Sequence, residues 1–234
     1  DVYKRQVKLI VIFTITLYLA RFTLEAIQTQ IITWDKTEMN SLLQPGDPFT
    51  KATFLTRNNG KSRMRINEAR SESNAIKTII KKRIIEPGES ATVEVVFLPE
   101  GKEAGLYHNK VDVIFEGHEE PLATLHYIVT IPKLINCLPN IITWEEENFN
   151  DTFLVELELD DRFVTNLNAI DYDQSLYKVF LIPDKFNASK YTLKIEPIAE
   201  RRPFSSLIKI KADGPKLTEI EEPIFLFNSY SLSQ

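Results

Sequence analysis

A chain of 234 residues with 43% hydrophobic and 26% charged residues is long enough for one or two domains and too apolar to stay disordered. Its net charge of −5, with no stripe dense in lysine and arginine, argues against nucleic acid as a partner. A single cysteine, Cys137, excludes an internal disulfide, and its place beside Leu138-Pro139 reads as a small apolar residue at a core edge or linker.

The first element is a targeting signal. Lys4, Arg5 and Lys8 precede an apolar run from Leu9 to Ala20, which Arg21 interrupts. About a dozen apolar residues suit a signal-peptide core and fall short of the roughly 20 that span a bilayer. Residues 1–26 are therefore expected to be a signal peptide or an N-terminal anchor, and the protein to be exported, periplasmic or envelope-associated.

Next comes a phrase that occurs twice. Ile31-Ile32-Thr33-Trp34-Asp35 returns 110 residues later as Ile141-Ile142-Thr143-Trp144-Glu145, and these are the two tryptophans of the chain. The spacing is that of one immunoglobulin-sized sandwich of roughly 100 residues. A β-branched run ending in Trp reads as the first strand of a domain. Trp34 and Trp144 are thus expected in comparable, partly buried places.

Between the two copies, strand-period runs alternate with turn chemistry. Ala52, Phe54 and Thr56 alternate with Thr53, Leu55 and Arg57, and Asn59-Gly60 supplies a tight turn through the positive φ that glycine tolerates. Strands follow at 64–67, 75–80 and 84–85, and Pro87-Gly88-Glu89 turns the chain. Val93, Val95 and Phe97 share one face, as do Val111, Val113 and Phe115. Gly101 and Gly105 bracket a turn, Glu116-Gly117-His118 makes another, and 122–131 runs as a long strand to Pro132. The second half repeats the rhythm at 141–144, 153–159, 164–170, 177–181, 191–197, 206–212 and 224–230. Short strands at 8–12-residue spacing specify an all-β sandwich or barrel. The expected fold is all-β: two immunoglobulin-like β-sandwiches in tandem, at 27–132 and 141–234, joined by a proline-stiffened linker at 133–140, after the hydrophobic signal segment.

Trp34, Phe54 before Asn58-Asn59-Gly60, Met64-Arg65-Ile66, Ile85-Glu86-Pro87-Gly88-Glu89, Val93 to Phe97, Gly105, the strand 110–115 and the run 122–132 together resemble domain-of-unknown-function family 1573, exported bacterial proteins with an immunoglobulin-like fold. Ile131-Pro132, Leu138-Pro139 and Ile142-Thr143-Trp144 are similar to the opening of the less regular second domain of longer members. The resemblance implies a fold and a compartment and no activity. Many relatives carry Ser-Cys-Gly-Cys-Thr after the third strand. Here Ala69-Arg70-Ser71-Glu72-Ser73-Asn74 stands in that place, so any role of that cysteine pair is absent.

Few residue patterns suggest chemistry. His108, His118 and His126 are the three histidines, and with Glu119-Glu120 a pair of them could bind zinc or copper if adjacent strands brought them together. They are also the available bases for a Ser-His hydrolase, but no Gly-x-Ser-x-Gly elbow accompanies them. Asp160-Asp161 and Asp171-Tyr172-Asp173 read as solvated turn carboxylates, since the second lacks the glycine and the bidentate glutamate of a calcium loop. Lys77, Lys81, Lys82 and Arg83 form one basic run, placed to keep an exposed sheet edge from pairing, with contact to an anionic polymer or lipid head group as the alternative. Seven glycines, none in a glycine-rich loop, argue against a nucleotide site.

The sequence therefore points to a non-enzymatic binding or structural module of the cell envelope, without cofactor or metal, whose partner is an envelope protein or polymer. Membrane contact is expected only through the N-terminal segment if it is retained. Sandwiches place function on end loops, so 68–74 and 100–105 are the expected contact loops, with Arg70, Glu72, Asn74, Lys102 and Glu103 as the exposed candidates. The alternative is a metal-handling protein or hydrolase using His108, His118 or His126.

Overall fold

The computed structural model describes residues 31–145, 151–198 and 204–228, so the expected signal segment 1–26 lies outside the described residues. Strands and turns fill the described residues, and no helix among them is long and apolar enough to cross a membrane. Two compact units divide the chain: one holds the residues up to Leu43 and Asp47–Ile131, the other Pro132 onward together with Gln44–Gly46.

The first unit contains β1 (Ile32–Trp34), β2 (Glu38–Leu42), β3 (Thr50–Asn58), β4 (Met64–Arg70), β5 (Ile76–Ile80), β6 (Ile84–Ile85), β7 (Ser90–Phe97), β8 (Gly105–Phe115) and β9 (Ala123–Ile131). They form two sheets, in the orders β1-β3-β7-β5 and β2-β9-β8-β4-β6. The period-2 patterns dictate this. In β3, Ala52, Phe54, Thr56 and Asn58 are buried while the residues between them are exposed. In β7 the buried set is Ala91, Val93, Val95 and Phe97. These pack with Val111, Val113 and Phe115 of β8 and Leu125, Tyr127 and Val129 of β9 in one core. Each fully buried Val, Leu or Phe contributes about 1.5–3 kcal/mol, so the alternation fixes which face of each strand turns inward.

The second unit contains β10 (Ile135–Leu138), β11 (Ile141–Trp144), β12 (Phe153–Leu159), β13 (Asn166–Asp171), β14 (Tyr177–Pro183), β15 (Lys190–Pro197), β16 (Phe204–Gly214) and β17 (Leu217–Asn228). Its sheets run β10-β12-β15-β14 and β11-β17-β16-β13. Its core gathers Trp144, Leu157, Tyr177, Leu193, Ile195, Ile208, Ile210, Ile224 and Leu226.

Both units follow one plan. In each, four strands take the ABED order of an immunoglobulin sandwich, and the facing sheet carries G, F and C. The first strand is split between the sheets. Its first half is antiparallel to strand B: β1 on β3, and β10 on β12. Its second half is parallel to strand G: β2 on β9, and β11 on β17. The first unit adds β6 as a two-residue edge on β4.

Four expectations from the sequence are corrected. The stretch 133–140 is not a linker, because β10 lies inside it, paired with β12 and burying Ile135 and Cys137. The two copies of the Trp phrase are not equivalent. Trp34 ends the first half-strand of its unit, whereas Trp144 ends the second half-strand of its own. Trp34 is half-buried, and its indole N–H is buried without a partner. Trp144 is fully buried, meets the Phe153 ring edge-on at 5.1 Å, and donates its N–H to the Asp151 carbonyl at 3.1 Å. Third, Gly60 is not in the left-handed region. The chain after β3 crosses to the other sheet, and Gly60 serves close approach: a Cβ there would stand 2.8 Å from Ile31 Cγ2 and 3.1 Å from Asn58 Oδ1. Finally, the last strand begins at Leu217 rather than 224, and Glu221 within it pairs across the sheet with Lys209 and Lys211 of β16.

Other turns follow the expected chemistry. Glu89 N–H donates to the Glu86 carbonyl at 2.9 Å around Pro87 and Gly88, whose φ is +81°, as a type II turn requires.

Candidate functional site

Strands β4 and β8 pair only from Arg70↔Asp112 to Ile66↔Phe115. On its other side β8 pairs with β9 from Gly105 onward. The N-terminal part of β8, residues 105–111, therefore extends past the end of β4, and no described strand is laddered to it on that side. The chain leaving β4 runs beside this overhang through Ser71, Glu72 and Ser73. Between them lies a concavity of about 660 Å³ lined by these residues and Arg70, with His108, Asn109, Lys110 and Asp112 of β8. Period-2 spacing places His108, Lys110 and Asp112 on one face of the strand.

The walls are largely built of groups with no internal use. Arg70, Glu72 and Lys110 hold no ion pair among the described residues. Asp112 accepts a hydrogen bond from the Thr124 hydroxyl at 2.8 Å. Asn109 is structural: it is buried and donates to the Tyr127 carbonyl at 3.0 Å.

The expected contact residues are thus partly brought together. Arg70 and Glu72 line the concavity, whereas Asn74, Lys102 and Glu103 do not. The segments flanking the two expected loops are joined where Leu98 N–H donates to the Ala75 carbonyl at 2.8 Å. Lys102 instead sits 6.0 Å over the Tyr107 ring, and the Glu103 carbonyl accepts from the Tyr107 hydroxyl at 2.7 Å, so both brace the start of β8. Sequence reading missed Lys110 and Asp112 as wall residues. Their alternation with Asn109 and Val111 carried the signal, but the end of β4 that exposes them is a matter of topology.

The histidines do not form a centre. His108 and His126 share the outward face of β8 and β9, in the staggered positions set by His108↔Ile128 and Lys110↔His126. His118 lies in the turn beyond Phe115, which is seven strand residues past His108, roughly 20–25 Å. No group of three His, Cys, Asp or Glu suited to a metal occurs among the described residues. Of the acidic pairs, Asp160 and Asp173 are engaged in turns, whereas Asp171 is not a turn carboxylate as expected: it ends β13, 3.9 Å from Lys211. Asp160 receives both Nε and Nη2 of Arg162 at 2.8 and 2.7 Å, and this hydrogen bonding holds its carboxyl below the usual range. Asp173 accepts from the Ser175 N–H at 2.9 Å and hydroxyl at 2.6 Å. Cys137 is buried in the second unit, where burial first and the Glu222 charge second push its thiol up to about 12.

Among solved structures, a protein of unknown function from Porphyromonas gingivalis W83 is similar at 9% identity and TM-score 0.33, covering 85% of this chain and 99% of that one. The YadV chaperone is similar at 10% identity and TM-score 0.33, over 84% of this chain and 100% of that one. The Vibrio cholerae VesB protease is similar at 15% identity and TM-score 0.35, over 48% of this chain, and the match spans only 35% of that protein's length. No curated protein matches the chain. Residues 32–127, which run from β1 into β9, match the model of the family described as Protein of unknown function (DUF1573), so the family expected from the resemblance is found in the first domain.

Proposed function

We propose that the protein is a non-enzymatic binding module of the bacterial cell envelope, whose first domain takes an extended segment of a partner protein by strand addition to β8. One observation carries this reading: among the described residues no strand is laddered to residues 105–111 of β8 on the β4 side, next to a concavity wide enough for side chains. An unpaired edge offers main-chain donors and acceptors, which supply affinity, and pockets beside it supply selectivity. The walls are polar and carry both signs of charge, through Arg70, Glu72 and Lys110, so a polar or charged segment fits and an apolar one does not.

The test is a photo-crosslinking residue at His108 in the native host, with a half-buried control position at His118. A partner is expected at His108 and not at His118. Hydrogen exchange on the complex should then show slowed amides at 106–110. A partner whose binding leaves those amides as fast as in the free protein would show that strand addition is not the mode.

A further inference from the structure

The outward face of the β1-β3-β7-β5 sheet belongs to a different part of the molecule from the β8 concavity. Its pairing registers arrange three rows across β3, β7 and β5. The first row is Lys51, Val96 and Lys77. The second is Thr53, Glu94 and Ile79. The third is Leu55 and Thr92, extended by Lys81, whose N–H bonds to the Thr92 carbonyl. Phe49 precedes β3 at the end of the first row. Phe49 is 48% exposed, and Leu55 and Ile79 are each 44% exposed. Phe49, Lys51, Lys77, Ile79, Glu94 and Val96 line a shallow depression of about 580 Å³.

Two features of this face are independent of each other. Large apolar side chains stand on a sheet surface that faces away from the core, where a folded domain has no use for them. The charge on it is also opposite to that of the whole chain. Lys51, Arg57, Lys77, Lys81 and Lys82 outnumber the nearby carboxylates Asp35, Glu89 and Glu94, although the protein carries −5 overall. Glu94 is shared by Lys81 at 3.4 Å and Lys51 at 4.0 Å, and Glu89 is taken by Lys82. The Asp35 carboxylate accepts the N–H groups of Leu55 and Lys36. Lys77 holds no ion pair among the described residues. The Lys82–Glu89 pair is exposed and so holds its lysine weakly, whereas Glu94 is largely buried and Lys51 and Lys81 reach it from exposed positions.

We infer that this face docks on an anionic lipid bilayer, with Phe49, Ile79 and Leu55 entering the headgroup boundary and Lys51, Lys77 and Lys81 contacting acidic headgroups. Apolar burial together with electrostatic attraction is what interfacial binding requires, and neither suffices alone. Exposed apolar and basic side chains alternate over this face, so a bilayer surface engages both kinds at once, whereas a soluble anion engages only the charges. The basic run that the sequence placed on a sheet edge thus gains a surface to act on. This membrane contact is additional to any made by the N-terminal segment.

The test is sedimentation of the full chain with vesicles of phosphatidylcholine alone and of phosphatidylcholine mixed with phosphatidylglycerol. Variants Lys77→Glu, Lys81→Glu and Phe49→Ser/Ile79→Ser keep the N-terminal segment, so its contribution cancels in the comparison. The wild type is expected to bind the anionic vesicles more tightly than the neutral ones. Each lysine reversal should weaken that binding by roughly fivefold or more, salt should weaken it likewise, and the apolar double variant should weaken it at any salt. Lys77→Arg should restore it. All four positions are exposed, so the variants should stay folded, which their melting curves check. Equal binding of wild type and variants overturns the inference. So does binding to a soluble polyanion such as polyglutamate that the lysine variants lose while vesicle binding is unchanged.

Discussion

In the first domain Ile32-Thr33-Trp34 lies antiparallel to β3 on one sheet. In the second, Ile142-Thr143-Trp144 lies parallel to β17 on the other. The same residues therefore occupy the two halves of one split strand. The contrast extends to the environment. Trp144 is enclosed by Phe153 and Phe204 and its N–H is satisfied, while Trp34 packs from one side and leaves its N–H buried and unpaired. A strand phrase selects a pleated, half-buried surface but carries nothing about which neighbour supplies the ladder. The ends of strand B differ in the same way. Asn58 stands opposite Ile32 in the first domain, and Leu159 stands opposite Ile135 in the second. Asn58 is buried and gives its side-chain N–H groups to the carbonyls of Ser62 at 2.8 Å and Ile85 at 2.9 Å, while its oxygen accepts from the Gly60 N–H at 2.9 Å. One domain closes that end with a hydrogen-bonded amide, the other with an apolar side chain.

This comparison is open to direct attack. The largest effect is expected at Trp144. Trp144→Ala should destabilise the second domain by about 3–5 kcal/mol, and Trp34→Ala the first by about 1–2 kcal/mol, because a half-buried ring recovers less apolar surface. Denaturant melts of the full chain, with each domain's transition followed separately, measure both. Equal losses would return the two tryptophans to equivalent places.

Asn58→Leu comes next. It copies the residue found at the matching site of the second domain, yet it should destabilise the first domain by about 2–3 kcal/mol. The buried Ile85 carbonyl, the Ser62 carbonyl and the Gly60 N–H lose their partners, and the matching shape does not compensate. A neutral outcome in the same melts would mean that the amide network is dispensable.

Substituting phenylalanine for each Trp isolates the polar atom. Trp144→Phe should lose about 1 kcal/mol with its bond to Asp151, whereas Trp34→Phe should be neutral or slightly stabilising, since it removes a donor that has no acceptor. The smallest effects concern Cys137. Its thiol should resist alkylation in the folded protein near neutral pH and react once the second domain unfolds, and reductant should leave both transitions unchanged. The sign with pH follows from burial. The folded pKa lies above the unfolded one, so this contribution to the second domain is complete below about 8.5 and is lost as the pH rises toward about 12. Cys137→Ala should abolish that alkaline loss, and its persistence in the variant would assign the loss to other groups.

The all-β class, most strand positions and the burial of alternating faces were legible in the residues, because a period of two is a local property. In β3 and β7 the alternation named the core residues individually. The end loops were legible in part, since residues 68–70 belong to β4. Turn composition marked 68–74 and 100–105 as exposed ends, but Lys110 and Asp112 joined the concavity only because β4 stops at Arg70. β2, with the sequence Glu-Met-Asn-Ser-Leu, gave no strand signal, since a polar edge strand buries little and is held by parallel pairing to β9. β10 was hidden by the prolines on either side of it, which read as a stiff connection.

What the sequence by itself determined is therefore the local part: where the chain extends, which side chains turn inward, and which turns need glycine, as at Gly88. What only the tertiary structure decided is partnership. Whether Ile-Thr-Trp ladders antiparallel with strand B or parallel with strand G, whether residues flanked by proline form a strand, and whether a basic run edges a sheet or rims an apolar face all depend on residues distant in the chain. Ladder hydrogen bonds join the same backbone groups whatever the side chains. Their assignment is settled only when both sheets bury their apolar faces together.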